Sequence, residues 1–166
     1  MALSNKDGSW ELTTGNKSEI TTGYCTIYVA MTAGFEVSKD VVKTQVFALA
    51  RWRNAQDPFG TGAAPIPERI ITRPPSAELR PDQVDEDSLP PYETLDAIIQ
   101  AYMEDDDSAA EIIASGHEAA HVEQVIRLLR INEYKRRQAP VGIRVTHRSF
   151  GKDWRYPITN GYRAGG

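Results

Sequence analysis

The chain has 166 residues, enough for one domain with its own core, since folds of this size bury roughly two-thirds of the surface that the unfolded chain exposes. Apolar residues make up 40% and charged residues 25%, no run approaches the roughly 20 apolar residues that cross a bilayer, and the opening residues lack a secretory pattern, so a soluble cytoplasmic protein is expected. The net charge of −4 is unevenly spread: residues 1–125 carry 9 Lys+Arg against 21 Asp+Glu, and residues 126–166 carry 10 against 2. Such a basic block meets nucleic acid, nucleotide phosphates or the acidic part of its own chain, and composition favours the last, a solvated or internally paired face. Cys25 is the single cysteine, which excludes an internal disulfide.

Trp10–Thr14 is β-rich and stops at Gly15, predicting a strand into a turn, with Ser18 capping a helix that follows. Ser38 is the expected cap of a helix from Lys39 to about Asn54, whose Val42, Val46, Leu49 and Ala50 stripe is widened by Val41 and Phe47 and predicts burial on more than one side. Residues 58–91, rich in proline and acid, read as a long loop, a feature that in compact domains is often functional.

After Pro91, Leu95, Ile98, Ile99 and Tyr102 mark a helix face. Ser108 and Glu111 form a capping box ahead of Ile112 and Ile113, and Gly116 stops that helix. A last helix from Glu118 to Arg137 shows Val122, Val125, Ile126 and Leu129 on one side, and the tail beyond Pro140 reads as irregular. The domain division expected is 1–150 as the folded unit and 151–166 as an irregular basic tail.

Residues 13–19, Thr-Thr-Gly-Asn-Lys-Ser-Glu, form a strand, turn and helix start, which would present backbone amides and a carboxylate at the C-terminal edge of a sheet, where open α/β folds bind ligands. Alone this is also an ordinary connection. Together with Leu3–Lys6, Asp40–Thr44, Pro67–Gln83, Asp87–Tyr92 and Asn132–Pro140, in that order, it resembles the synthetase domain of bacterial glutamine-dependent NAD synthetases, over nearly the whole chain.

The resemblance implies an α/β fold of the adenine-nucleotide α-hydrolase type, Rossmann-like, with a parallel-sheet sandwich whose first strands lie outside these residues, rich in helices and carrying a long active-site loop. The activity it implies is ATP-dependent amidation of deamido-NAD to NAD through an acyl adenylate, with AMP and pyrophosphate released. ATP and Mg2+ are the implied cofactors. Thr14, Lys43 and Ser76 would face ATP, with Lys43 catalytic as a point charge on the phosphates. Glu19 would offer magnesium a hard oxygen or contact deamido-NAD, and Tyr134 and Lys135 would hold deamido-NAD. Ammonia would come from a glutaminase domain not found in this sequence, a homo-oligomer is expected, and neither nucleic acid nor membrane is an implied partner.

Two departures qualify this. The Ser-Gly-Gly-x-Asp-Ser pyrophosphate loop of the family is absent from the 166 residues, so the isolated chain is expected to be inactive. Residues 28–31 read Tyr-Val-Ala-Met where the family has Tyr-Gly-Asp-Met, removing a carboxylate at Ala30. A non-catalytic remnant or assembly subunit of the same fold is the alternative. A third reading, a zinc peptidase, rests on His117-Glu118-Ala119-Ala120-His121, two histidines one turn apart with a glutamate, but Gly116 sets that motif at a helix start and only His147 is left as a further histidine.

Overall fold

The computed structural model describes residues 2–25, 33–60, 62, 64–76 and 81–162. Among these, the chain runs α1 (Ala2–Asp7), β1 (Leu12–Thr13), α2 (Lys17–Thr22), β2 (Phe35–Glu36), α3 (Lys43–Ala55), α4 (Glu68–Thr72), α5 (Tyr92–Ile99), α6 (Ala109–Ala114), α7 (Ala119–Ile131), α8 (Glu133–Arg136) and β3 (Val141–Gly142). The three strands are parallel, in the order β1-β2-β3, with Leu12 beside Phe35 and Phe35 beside Val141. Helices joined to a small parallel sheet make this an α/β chain. No helix among the described residues is long and apolar enough to cross a membrane.

The core lies where α5 and α7 meet. Leu95, Ile98, Ile99 and Met103 face Val122, Val125, Ile126 and Leu129, with Ile20 from α2, Ile112 from α6 and Phe150 completing the cluster. The α7 stripe is the one expected, and in α5 Leu95, Ile98 and Ile99 are buried as expected, but Met103 takes the fourth place and Tyr102 packs only partly buried against the cluster. A π-helical segment, Gln100–Glu104, extends α5 and delivers Glu104 beside the sheet. Ser108 and Glu111 form the expected capping box of α6, and the chain reverses through Gly116 at φ 110°. Trp154 and Tyr156 also pack on the core, so residues past 150 are partly fixed to it.

Several boundaries differ from expectation. Asn16, not Ser18, caps α2, its side-chain oxygen accepting from the Glu19 amide at 3.0 Å. Ser38 caps no helix. Its hydroxyl donates to the Gly15 carbonyl, residues 37–40 form a turn, and α3 starts only at Lys43. Nor is α3 buried on two sides: no residue of it is fully buried, and Leu49 and Trp52 are more than half exposed. The expected last helix divides at Asn132 into α7 and α8. Residues 58–91 contain α4 and a 3-10 turn at Asp85–Asp87, and the stretch after Pro140, expected to be irregular, supplies β3.

Candidate functional site around Glu19 and Lys43

Parallel strands send all their C-terminal ends to one edge, and the segments leaving those ends converge there. The turn after β1 is tight because Gly15 passes the Glu36 side chain so closely that a Cβ on Gly15 would sit 1.8 Å from Glu36 Oε1. Asn16 then starts α2, Lys17 turns inward and Glu19 turns toward α3. Glu19 Oε1 meets Lys43 Nζ at 3.0 Å, both side chains about one-fifth exposed. The Lys43 ammonium also lies 5.6 Å from the Tyr92 ring centre and 5.7 Å from that of Phe47, so two aromatic faces flank the cation.

Behind this pair lies a buried ion cluster. Lys17 Nζ contacts Glu104 Oε1 at 2.7 Å, Thr146 Oγ1 at 2.7 Å, the Arg148 carbonyl at 2.9 Å and Asp40 Oδ1 at 3.2 Å. Asp40 Oδ2 accepts in turn from the amides of Val145 and Thr146. Burial alone would raise the Asp40 carboxyl, but those amides and Lys17 together hold it below the ordinary range. Nearby, Glu36 is almost fully buried and its Oε2 has no hydrogen-bond partner. Burial pushes its carboxyl up to about 7, with Lys39 opposing the shift and Glu19 adding to it. Lys39 reaches the Pro140 carbonyl, and burial lowers its ammonium.

The turn expected to present free amides spends them inside the chain. The Lys17 amide donates to the Val41 carbonyl at 2.9 Å and the Glu19 amide to Asn16. The first amides of α3 are likewise taken: Lys43 donates to Ser18 Oγ at 2.9 Å and Thr44 to Asp96 Oδ2 at 2.8 Å. These four amides are therefore not open to a ligand, whereas the charges of Glu19 and Lys43 lie at the same edge.

Of the residues singled out in the sequence, Glu19 and Lys43 are brought together. Thr14 is exposed at the end of β1, in the turn that precedes α2. Lys135 sits at the other end of α2, where its ammonium donates to the carbonyls of Gly23, at 2.5 Å, and Cys25, at 3.2 Å. Gly23 adopts φ 68° there, closing α2 in a left-handed cap that points its carbonyl outward to Lys135. Tyr134 is exposed beside it, and Ser76 is half-buried at the end of the segment following α4. Position 30, with its missing carboxylate, lies outside the described residues. In the His117–His121 motif, His121 Nδ1 is 3.5 Å from Glu118 Oε2, Glu118 immediately precedes α7, and no group of three metal-capable side chains gathers among the described residues.

The basic block is largely paired within the chain. Glu133, only 1% exposed, receives Arg136, Arg137 and Arg155, and Arg148 meets Asp106. Sequence reasoning missed Asp96 and Lys17. Both were detectable: Asp96 lies between Leu95 and Ile98 on the core side of its helix, where a carboxylate stays only if it is hydrogen-bonded, and Lys17 lies three residues before the core residue Ile20.

A sequence profile of NAD synthase matches residues 1–139. The chain belongs to the NAD synthase family. It is 57% identical to the glutamine-dependent NAD(+) synthetase of Acinetobacter baylyi over 163 residues and 55% identical to that of Xanthomonas campestris pv. campestris. In each case 98% of the chain is covered and 29% of the relative, so the chain spans less than a third of the length of the curated proteins it matches. The crystal structure of a glutamine-dependent NAD(+) synthetase from Cytophaga hutchinsonii superimposes with a TM-score of 0.66 at 22% identity, covering 96% of the chain and 26% of that protein, a likeness of fold.

Proposed function

We propose that this chain forms part of an ATP-dependent synthetase that amidates deamido-NAD, within an α/β sandwich of the adenine-nucleotide α-hydrolase type. The observation that carries the reading is the Glu19–Lys43 pair at the C-terminal edge of a parallel sheet, in a chain whose family is NAD synthase. In that reaction the nicotinate carboxylate oxygen attacks the α-phosphorus of ATP, the bond to the leaving pyrophosphate breaks, and ammonia then attacks the acyl carbon, expelling AMP and losing a proton.

Negative charge builds on the phosphate oxygens in the first step, and Lys43 is the residue we assign to offset it. Its ammonium is already oriented by Glu19, Tyr92 and Phe47, so little ordering is required when a phosphate approaches. Magnesium typically takes one or two carboxylates and completes its shell with phosphates and water, a habit that the single carboxylate of Glu19 beside a phosphate-facing lysine fits. When bound, the ion would add positive charge at the same phosphates. Thr14 and Ser76 supply hydroxyls for ATP in this reading, and Tyr134 and Lys135, at the far end of α2, supply the face for deamido-NAD. The Pro-rich segment around Ser76 closes over ATP in this reading. The pyrophosphate loop and ammonia would come from sequence beyond these 166 residues, so NAD formation by the isolated chain is not expected.

The test is to replace the matching 29% of the Acinetobacter baylyi synthetase with this chain and assay NAD formation from deamido-NAD with ammonia. Turnover that falls about 100-fold or more in Lys43→Met and Glu19→Gln would support the assignment. A graft that folds, binds ATP and makes no NAD would overturn it.

A further inference from the structure

The first turn of α3 is capped from outside its own segment. Its N-cap residue, Val42, has no side-chain acceptor, and a helix leaves its first amides without intrahelical partners. Ser18 in α2 and Asp96 in α5 fill that role. Ser18 Oγ accepts from the Lys43 amide at 2.9 Å, Asp96 Oδ2 accepts from the Thr44 amide at 2.8 Å, and the Ser18 hydroxyl donates to Asp96 Oδ1 at 2.5 Å. Three helices thus meet in one closed chain of hydrogen bonds. Ser18 is fully buried and Asp96 only 5% exposed, so water cannot substitute for either partner.

The residue whose amide Ser18 holds is the one whose ammonium faces Glu19, and Glu19 is the next residue after Ser18. We infer that Ser18 and Asp96 are positioning residues for Lys43, fixing the start of α3 against α2 so that the ammonium is held in one place at the sheet edge. Their use for synthesis rests on the function proposed above; the positioning itself does not. A bond between a carboxylate and a backbone amide is charge-assisted and short, which makes it a stiff tether. Without it, the lysine's four-carbon stem and the frayed first turn would let the cation wander.

The test uses the chain itself and reads each lysine separately. Acetylation by an N-hydroxysuccinimide ester, followed by mass spectrometry, gives the rate at Lys43 relative to exposed Lys6 in the wild type, Ser18→Ala, Asp96→Asn and the double variant. Asp96→Asn keeps side-chain volume, so it remains informative if Ser18→Ala folds poorly. We expect the Lys43 rate to rise about five- to ten-fold in Ser18→Ala and by less in Asp96→Asn, with Lys17 and Lys135 unchanged. The double variant should exceed Ser18→Ala by less than the product of the single effects, because the two residues act through one linked set of bonds. An unchanged Lys43 rate, or an equal rise at Lys17 and Lys135, would overturn the inference, the second outcome reporting general loosening. A graft that makes no NAD while Lys43 loosens selectively would sink the synthetase reading and leave the positioning role standing.

Discussion

Burial lifts the Glu36 carboxyl from 4.5 to about 7, and that shift fixes how one residue bends stability with pH. Below pH 4.5 the folded and unfolded chains both hold the proton. Between 4.5 and 7 the unfolded chain releases it first, so the contribution to stability drains away as pH rises and is gone above 7. Glu36→Gln, which is neutral throughout, should therefore match the wild type near pH 4 and exceed it by about 2–4 kcal/mol at pH 8, each pH unit between the two values being worth about 1.4 kcal/mol. Thermal melts of both proteins at the two pH values check this; a constant difference would refute it. The neighbouring glycine gives a paired test. Gly15→Ala should cost about 1–3 kcal/mol, since its methyl meets the Glu36 carboxylate, and Glu36→Ala should recover most of that loss in the same background. None of this was legible in sequence. A glycine in a turn announces conformational freedom, whereas Gly15 is needed for the close passage of a side chain 21 residues later.

At the scale of elements, what could be read depended on whether a signal was local. The α5 and α7 stripes and the α6 capping box emerged directly, because periodicity and caps act over three or four residues. Removing that box by Ser108→Ala should cost about 1 kcal/mol, measurable by urea denaturation. The start of α3 was misplaced by four residues. Ser38 has the chemistry of a cap, but its hydroxyl serves Gly15, while the true caps come from 25 and 52 residues away. Residues 13–19 show the same divide in miniature. Their family likeness singled out Glu19, which pairs with Lys43, yet Asn16, Lys17 and Ser18 serve the fold, and no spacing rule separates those roles. The candidate residues Tyr134 and Lys135 came from the same likeness, which did not reveal that Lys135 spends its ammonium on the carbonyls that close α2.

Across the whole molecule, apolar side chains stay uncovered on the sheet and on α3. Trp10, Leu12 and Val141 on and beside the outer strands, with Leu49 and Trp52 on α3, are each at least half exposed. Strand edges and apolar faces of this kind favour association, so sedimentation velocity should show mass rising with concentration, and a sharp monomer boundary at every concentration would contradict that. Lys17 binds the molecule together from within. Lys17→Met would leave Asp40 and Glu104 buried without their cation, a loss of about 3–5 kcal/mol by chemical denaturation.

That same cluster dictates an order of events during synthesis. The Lys17 ammonium and the Thr146 hydroxyl it grips are 129 residues apart. While a ribosome is still translating the middle of the message, Lys17 and Asp40 remain in water, their eventual partners not yet polymerised, and the amides of Val145 and Thr146 emerge last. At about 5–20 residues per second, the interval is on the order of ten seconds. Through that interval the cluster around Lys17 cannot close, whereas the bonds by which Ser18 and Asp96 fix the start of α3 join residues 18–96 and can form first.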